Sequence, residues 1–469
     1  MGKRSVGARE GLTPVNMEET KMRSMNFSRR SFIGGAFSFG ALAGCRAFTA
    51  PAGMFSGDGA NLILGVVSDI HVIKSPGDFG KCGDTVQFER VLRWFDAQGA
   101  DGVIVAGDMA DSGLVEQLEC VGEAWFRVFP GGRAADGRKV EQLFVYGNHD
   151  FRYHDKKDMA DRDIRRDPAA AWKHVFHEEY APIWFKEVKG YQFVGAHWSL
   201  HLGKAGEGIP EVVDWFRDHA TEIRRDRPFF FIQHCHPKDT VYGADAWCPD
   251  KGYATRALSA FPNAIAFSGH SHDSLTDERS IWQGAFTSIG ASSLRYGGYA
   301  DSYSQRQGML VKVYDDRVVI ARRDFLHEIS LGDDWVFPLP VGDGKRPFDF
   351  EARKAAGTAP EFPVNAKLSV EPHKNGWLVL IPESNASRTR AFRYEVATGL
   401  RDKDGKPIVV LAYDAKYNMP LAIKGKPTRT RCFIKGEKLP LGADGKPLVP
   451  KISVTPLDCF GNRGRSLTA

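Results

Sequence analysis

Five short apolar runs, each closed by polar side chains, constrain this 469-residue chain more than any other feature. They are Leu62 to Ser68, Val103 to Ala106, Leu143 to Tyr146, Phe229 to Ile232 and Ala264 to Phe267. Runs this short, rich in β-branched and aromatic residues, read as buried strands, and helical periodicity occupies the stretches between them. Phe88, Val91, Leu92 and Phe95 fall at i, i+3, i+4 and i+7, with Asp84 or Thr85 as a cap and Gly99 near the end. A second helix begins near Pro210, with Val212, Phe216 and Ile223 on one face. This alternation from Asn61 to about Leu331 predicts an α/β domain.

Open α/β sheets place their ligand sites at the carboxyl ends of the strands. Five polar clusters stand there: Asp69-Ile70-His71, Gly107-Asp108-Met109-Ala110-Asp111, Gly147-Asn148-His149-Asp150, His234, and Gly269-His270-Ser271-His272. Each alone is weak, because a lone histidine is more often packed or solvated than a ligand. Together their carboxylate, amide and imidazole donors suit Mn, Fe or Zn, and no clustered cysteine set points to a structural zinc site. Residues two apart in an extended segment share a face, which would aim Asp69 and His71 together, and likewise His270 and His272. One carboxylate, Asp108, can bridge two cations about 3.5–4 Å apart. Two divalent ions against two ligand carboxylates leave a local charge near +2, which attracts a phosphoryl group.

The ordered set Asp-x-His, Gly-Asp-x-x-Asp, Gly-Asn-His-Asp, His, Gly-His-x-His resembles the calcineurin-like metallophosphoesterases over residues 61–331. The resemblance implies a β-sandwich flanked by helices in α/β/β/α layers, and two divalent metal ions (Mn, Fe or Zn). Asp69, His71 and His272 would hold one metal, Asn148, His234 and His270 the other, with Asp108 between them. It further implies a hydroxide held by the metals as nucleophile, and His149 as the general acid that protonates the leaving alkoxide, oriented by Asp150. The expected activity is phosphomonoester or phosphodiester hydrolysis. His236 competes with His234 for its role, and Gln233-His234 at the strand end favours the latter. Asp111 fits support of a ligand as well as a turn or cap. For Arg152 and the tyrosines at 296, 299 and 303, a substrate contact stands beside ordinary loop and packing roles. His154, His174, His177, His197, His201, His219, His327 and His373 lack a matching context.

The protein Ser/Thr phosphatases of this superfamily have arginines where Ser112 and Tyr146 stand nearby here, which disfavours protein dephosphorylation. Purple acid phosphatases carry a metal-binding tyrosine after the second Asp, and Met109 and Ala110 offer none. The spacing is more similar to bacterial cyclic-nucleotide phosphodiesterases and secreted acid phosphatases.

The flanks add organisation. Residues 1–45 read as an export signal: Ser28-Arg29-Arg30-Ser31-Phe32-Ile33 resembles a twin-arginine motif, and Leu42-Ala43-Gly44-Cys45 a lipobox. That reading exports the protein from a bacterial cytoplasm to the periplasm or cell surface, with a lipid at Cys45 as its only membrane contact. A plain signal peptide cut after Ala50 is the alternative. Seven Lys/Arg and three Glu in residues 1–45 account for +4 of the formal +5, so no nucleic-acid-binding surface is implied. Residues 332–362 are rich in Gly, Pro and charge and read as a linker. Short β-prone segments from Lys367 to Val454 then predict a small all-β sandwich over 363–469, similar to fibronectin-III or Ig-like modules. Cys432 and Cys459 are its candidate disulfide. Were the first domain non-catalytic, the chain would be a glycan- or partner-binding surface lipoprotein.

Overall fold

The computed structural model describes residues 59–73, 83–152, 163–198, 208–297, 305–341, 346–384, 390–417 and 429–469. The export signal with Cys45, and Cys82, His154, His201, Tyr299 and Tyr303, lie outside the described residues. The strands of the first half are β1 (Leu62–Val67), β2 (Gly102–Ala106), β3 (Glu141–Val145), β4 (Ile183–Val188), β5 (Tyr191–Ala196), β6 (Phe229–Ile232), β7 (Ala264–Ser268), β8 (Ile281–Gln283), β9 (Thr287–Gly290), β10 (Gln307–Val313), β11 (Arg317–Asp324), β12 (Ile329–Ser330) and β13 (Trp335–Pro338). One sheet runs β12-β11-β10-β1-β2-β3 with β13 on the far side of β11, and the other β4-β5-β6-β7-β9-β8. The parallel strands are β1, β2 and β3 at one end of the first sheet and β5, β6, β7 and β9 in the middle of the second.

The two-residue side-chain period explains why these runs are apolar throughout. Leu62, Leu64 and Val66 of β1 face inward, where they meet Ile104, Val145, Phe193, Phe230, Ile232 and Phe267 in a core between the sheets. Ile63 and Val67 face outward, into the layer that includes Phe88, Val91, Leu92 and Phe95 of helix α1 (Gly83–Ala97). Each such side chain contributes about 1.5–3 kcal/mol on burial. Gly65 is required inside β1, because a Cβ there would overlap the Phe95 ring. Helix α2 (Val115–Val128) lies beside α1, and α3 (Pro168–Phe176) beside α2. Helix α4 (Glu211–Asp218) buries Val212 and Phe216, the latter against Phe229 and Phe231 on the outer face of the second sheet, next to α5 (Tyr253–Leu258). The result is the expected α/β/β/α arrangement.

Two expectations change. The stretch read as a linker begins with β13, whose Trp335 and Phe337 are buried in the inter-sheet core. Their alternation with exposed Val336 is a strand pattern that the surrounding Gly, Pro and charge obscure. The same stretch contains α6 (Phe350–Ala356), capped by the Asp349 carboxylate. Beyond it come β14 (Ser369–His373), β15 (Gly376–Ile381), β16 (Arg393–Arg401), β17 (Pro407–Tyr413), β18 (Thr430–Lys435), β19 (Ser453–Leu457) and β20 (Leu467–Thr468). They form two antiparallel sheets, β14-β15-β18 and β17-β16-β19-β20, that share a core of Val379, Ile381, Tyr394, Val396, Ile434 and Val454. Cys432 and Cys459 are not paired. Cys432 joins this core, whereas Cys459 packs with Phe392 and Tyr417, and none of the five cysteines among the described residues forms a disulfide.

Candidate metal centre

The register of the parallel strands brings the polar clusters together. Val67 pairs with Val105, Ala106 with Val145, and Ile232 with Phe267, so β1, β2, β3, β6 and β7 all end at one edge of the sandwich. Just past those ends the backbone turns sharply. Asp69, His71, Asp108, His270 and His272 have φ of 54°, 47°, 52°, 74° and 56°. The expected extended Asp-x-His and His-x-His segments are therefore absent. Left-handed residues aim the side chains instead, at a cost of about 1–3 kcal/mol each. The scaffold holds them there through main-chain bonds: Asp69 N–H donates to Gly107 O at 3.0 Å, His71 N–H to Asp108 O at 3.0 Å, and Gly269 N–H to His234 O at 2.9 Å. Side chains add to this, with Ser293 Oγ donating to Asp69 O at 3.1 Å and Gln305 Nε2 to His272 O at 3.3 Å.

Three donor groups occur among the described residues; His71, Asp111 and His149 form a partly exposed one, and the other two are fully buried. In one, Asp69, His71, Asp108 and His272 converge, with His272 Nε2 2.8 Å from Asp69 Oδ1, 3.0 Å from His71 Nε2, and His71 Nε2 3.7 Å from Asp108 Oδ2. In the other, Asp108 Oδ2 lies 3.1 Å from His234 Nε2, which is 3.2 Å from His270 Nδ1. Asp108 belongs to both. Separations near 3 Å between nitrogens are the edges expected around a cation with bonds of roughly 2.0–2.2 Å. Asn148 Oδ1 and His270 Nε2 are buried without a hydrogen-bond partner. An orphaned amide oxygen next to these groups fits a divalent ion better than a purely protein-internal network.

The electrostatics agree with that fit. Burial opposes ionisation of Asp69 and Asp108, yet His272 beside the first and His234 beside the second hold both carboxyls below their usual range. Burial likewise opposes charge on His71 and His234, but the hydrogen bonds His71 donates to Asp111 and Asp69, and the Asp108 charge beside His234, push them up to about 10 and about 9. The same negative field that keeps protons on these rings would hold divalent cations in their place.

Neighbouring side chains take distinct parts. His236 stays out of the cluster: its two ring nitrogens each lie 2.8 Å from a serine hydroxyl, Ser268 and Ser271, and burial pushes it down to about 3. His234 is fixed by Nδ1 donating to Ala106 O at 2.8 Å, which leaves Nε2 for the cluster. Asp111 Oδ1 lies 3.1 Å from His71 Nδ1, the contact by which carboxylates orient ligand histidines, and its carbonyl accepts from His149 Nδ1 at 3.0 Å. Asp150 does not orient His149. Its carboxylate instead accepts from the amides of Ala110 and Gly147, both at 2.7 Å, and so pins two of the turns to each other. His149 is itself tied to the cluster by its amide, which donates to Asp108 Oδ1 at 2.7 Å.

Sequence reasoning passed over Arg295, which donates to His71 O and to the Asp84 carboxylate. It also passed over Trp247, whose ring is 4.6 Å from that of His270. Tyr296 stands 4.4 Å from His272 and 5.6 Å from His71. Nothing in local sequence marks Arg295 or Trp247, since each arrives from a loop, whereas Tyr296 is one of the tyrosines for which the sequence left a substrate contact open. Arg152 is exposed beside the site. The other described histidines have separate roles, such as His197 accepting from Tyr146 N–H and His219 stacking on Trp215. A cavity of about 640 Å³ lies at the opposite ends of the strands, lined by Asn61, Tyr191, Pro228 and Asn263 among others, and shares no residue with this cluster.

A two-sheet α/β sandwich with buried carboxylates and imidazoles at its strand ends offers the donors and the open edge that a metal-dependent hydrolase needs. Residues 63–274 match the family described as calcineurin-like phosphoesterase, so the chain carries a calcineurin-like metallophosphoesterase domain and is a hydrolase of phosphoric esters. Among solved structures it is similar to a dimetal phosphatase from Danio rerio, at 12% identity over 59% of this chain and 98% of that one, with a TM-score of 0.37. It is also similar to a purple acid phosphatase from yellow lupin seeds, at 10% identity over 59% of this chain and 53% of that one, with a TM-score of 0.39. No curated protein matches the chain.

Proposed function

We propose that this protein hydrolyses phosphomonoesters or phosphodiesters at a dinuclear centre, outside the cytoplasm. The observation that carries the reading is Asp108, a buried carboxylate shared by two donor groups. Asp69, His71 and His272 would hold one cation, Asn148, His234 and His270 the other, and Asp108 both. When bound, such ions lower the pKa of water toward neutrality and neutralise charge that develops on the phosphoryl oxygens.

The chain's own residues supply orientation and the proton. Asp111 holds His71 by Nδ1, so that Nε2 faces the cluster. His149 is fixed in the same way through its Nδ1 on Asp111 O, which leaves Nε2 as its reactive end. Burial lowers the His149 pKa below its usual value, although the Asp108 charge nearby pulls the other way. The free enzyme at neutral pH therefore keeps this ring largely neutral. An arriving phosphoryl dianion favours the protonated ring, and Nε2–H then stands ready to pass its proton to the leaving alkoxide.

Purified residues 46–469, supplied with Mn²⁺, are expected to turn over at least one of a chromogenic phosphomonoester and a chromogenic phosphodiester. No turnover of either, with no bound metal on elemental analysis, would refute the reading. The twin-arginine-like and lipobox-like sequences support export and a lipid anchor at Cys45. Cys45→Ser should release the protein from membranes, and an unchanged distribution would favour the plain signal peptide.

A further inference from the structure

Two loops that wall the metal centre are gripped by the C-terminal sheets. The first follows His272. Its Asp277 and Arg279 pair at 2.8 Å, and Arg279, 3% exposed, lies under the Phe392 ring with its guanidinium carbon 4.2 Å from the centroid. Thr276 O accepts from Arg390 Nη2 at 2.7 Å. The second loop is the turn Gly243–Asp245 and the residues after it. Asp245 accepts from Arg279 Nη1 through one carboxylate oxygen and from Arg393 Nη1 through the other, both at 2.7 Å. Arg393 opens β16, so a side chain from the C-terminal module closes an ion-pair triad on this loop. A carboxylate between two guanidiniums, one of them buried, is fixed more firmly than a surface pair.

Two residues after Asp245 stands Trp247. Its ring lies beside His270 at 4.6 Å and 31°, yet 52% of its surface is exposed. A large aromatic held against a ligand histidine and left half open is poorly explained as packing. Its position suits stacking on a planar group of a substrate whose phosphoryl end is at the cluster.

We propose that Trp247 is a stacking face for an aromatic ring of the phosphoester, as in a nucleotide, and that Arg393 of the C-terminal module is a positioning residue that holds Trp247 there through Asp245. This rests on the phosphoesterase reading for its kinetics but not for its binding. The C-terminal sheets are thereby part of the active site's construction.

The test uses residues 46–469 in two measurements. The first is equilibrium binding, by calorimetry, of a nucleoside monophosphate and of the matching ribose phosphate without the base. The parent protein should prefer the nucleotide by about tenfold, the order that one stacked ring is worth, and Trp247→Ala should abolish that preference. Trp247→Phe should restore most of it. Equal binding of the two ligands by the parent protein overturns the proposal, whether or not the protein is active. The second is kinetics on an aryl and an alkyl phosphomonoester. Arg393→Met should raise KM for the aryl ester several-fold with kcat and the alkyl ester little changed, Arg393→Lys should partly rescue it, and Arg393→Met should add nothing in the Trp247→Ala background. An equal fall in kcat on both esters, or full additivity of the two changes, would show that Arg393 merely stabilises the fold. Absence of turnover in the parent protein would count against the phosphoesterase reading, with the binding comparison still deciding the stacking face.

Discussion

Asp108→Asn and Asp111→Asn make a matched pair, because each removes one negative charge by the same substitution, three residues apart. Asp108 is 1% exposed and lies in both buried donor groups. A unit charge about 4 Å from a monovalent ion contributes about 4 kcal/mol at an effective dielectric of 20, and a divalent ion doubles this. Even half of the single-ion figure, felt at two cations, predicts a fall in kcat/KM of at least about a thousandfold with loss of bound metal. Asp111 touches the centre through His71 Nδ1 at 3.1 Å and meets His149 Nδ1 through its carbonyl at 3.0 Å and its carboxylate at 3.9 Å. An asparagine oxygen can still accept from Nδ1–H there, so the loss should be about tenfold, rising toward a hundredfold in Asp111→Ala. The assay is kcat/KM at excess Mn²⁺, with metal content after gel filtration. Equal losses for the two asparagine variants would refute the assignment of Asp108 as the shared ligand. An unchanged Asp111→Ala would refute its support of His71.

Gly147→Ala should lower activity more than a hundredfold while the fold survives by circular dichroism, since the new methyl would overlap the Asp108 carboxylate and amide, at an overpacking cost of roughly 1–3 kcal/mol; normal metal content would contradict it. Metal uptake at pH 7 should release about two protons, because His71 and His234 are pushed up to about 10 and about 9 without metal and must bind as neutral rings. Calorimetry in two buffers of different ionisation enthalpy reads this, and zero release would show the rings to be neutral beforehand. Burial holds His197 neutral, pushed down to about 3, while its Nδ1 accepts from Tyr146 N–H. The unfolded chain takes up a proton there first, so its contribution is whole above the unfolded value of about 6.5 and is lost as pH falls toward 3, by about 1.4 kcal/mol per pH unit. His197→Asn, which keeps an acceptor, should therefore lose less thermal stability than the parent between pH 7 and pH 4, and parallel losses would rule this out.

Much of the site was legible from local patterns. Asp69, His71, Asp108, Asn148, His149, His234, His270 and His272 each follow an apolar run, and strand ends at one edge of parallel sheets must lie near one another. What the pattern misstated was local geometry: the Asp-x-His and His-x-His pairs are aimed by left-handed residues beyond the strands. Asp150 shows a second limit, because a carboxylate next to a histidine in sequence serves the amides of Ala110 and Gly147. The β13 strand was hidden because two inward aromatics within a Gly- and Pro-rich stretch carry too short a period to stand out.

By itself the sequence determined the architecture of the α/β half and named a candidate donor set, because burial on both strand faces and the chemistry of metal ligation each demand particular residue types at particular spacings. Only the tertiary structure decided between His234 and His236, whose spacing is equally permissive, through the Ala106 carbonyl that fixes one ring and the two serines that occupy the other. It alone brought Arg393 to Asp245 and Trp247 to His270. The first of these contacts spans 148 residues of chain, and no local periodicity encodes where a strand of one sheet will meet a loop of another.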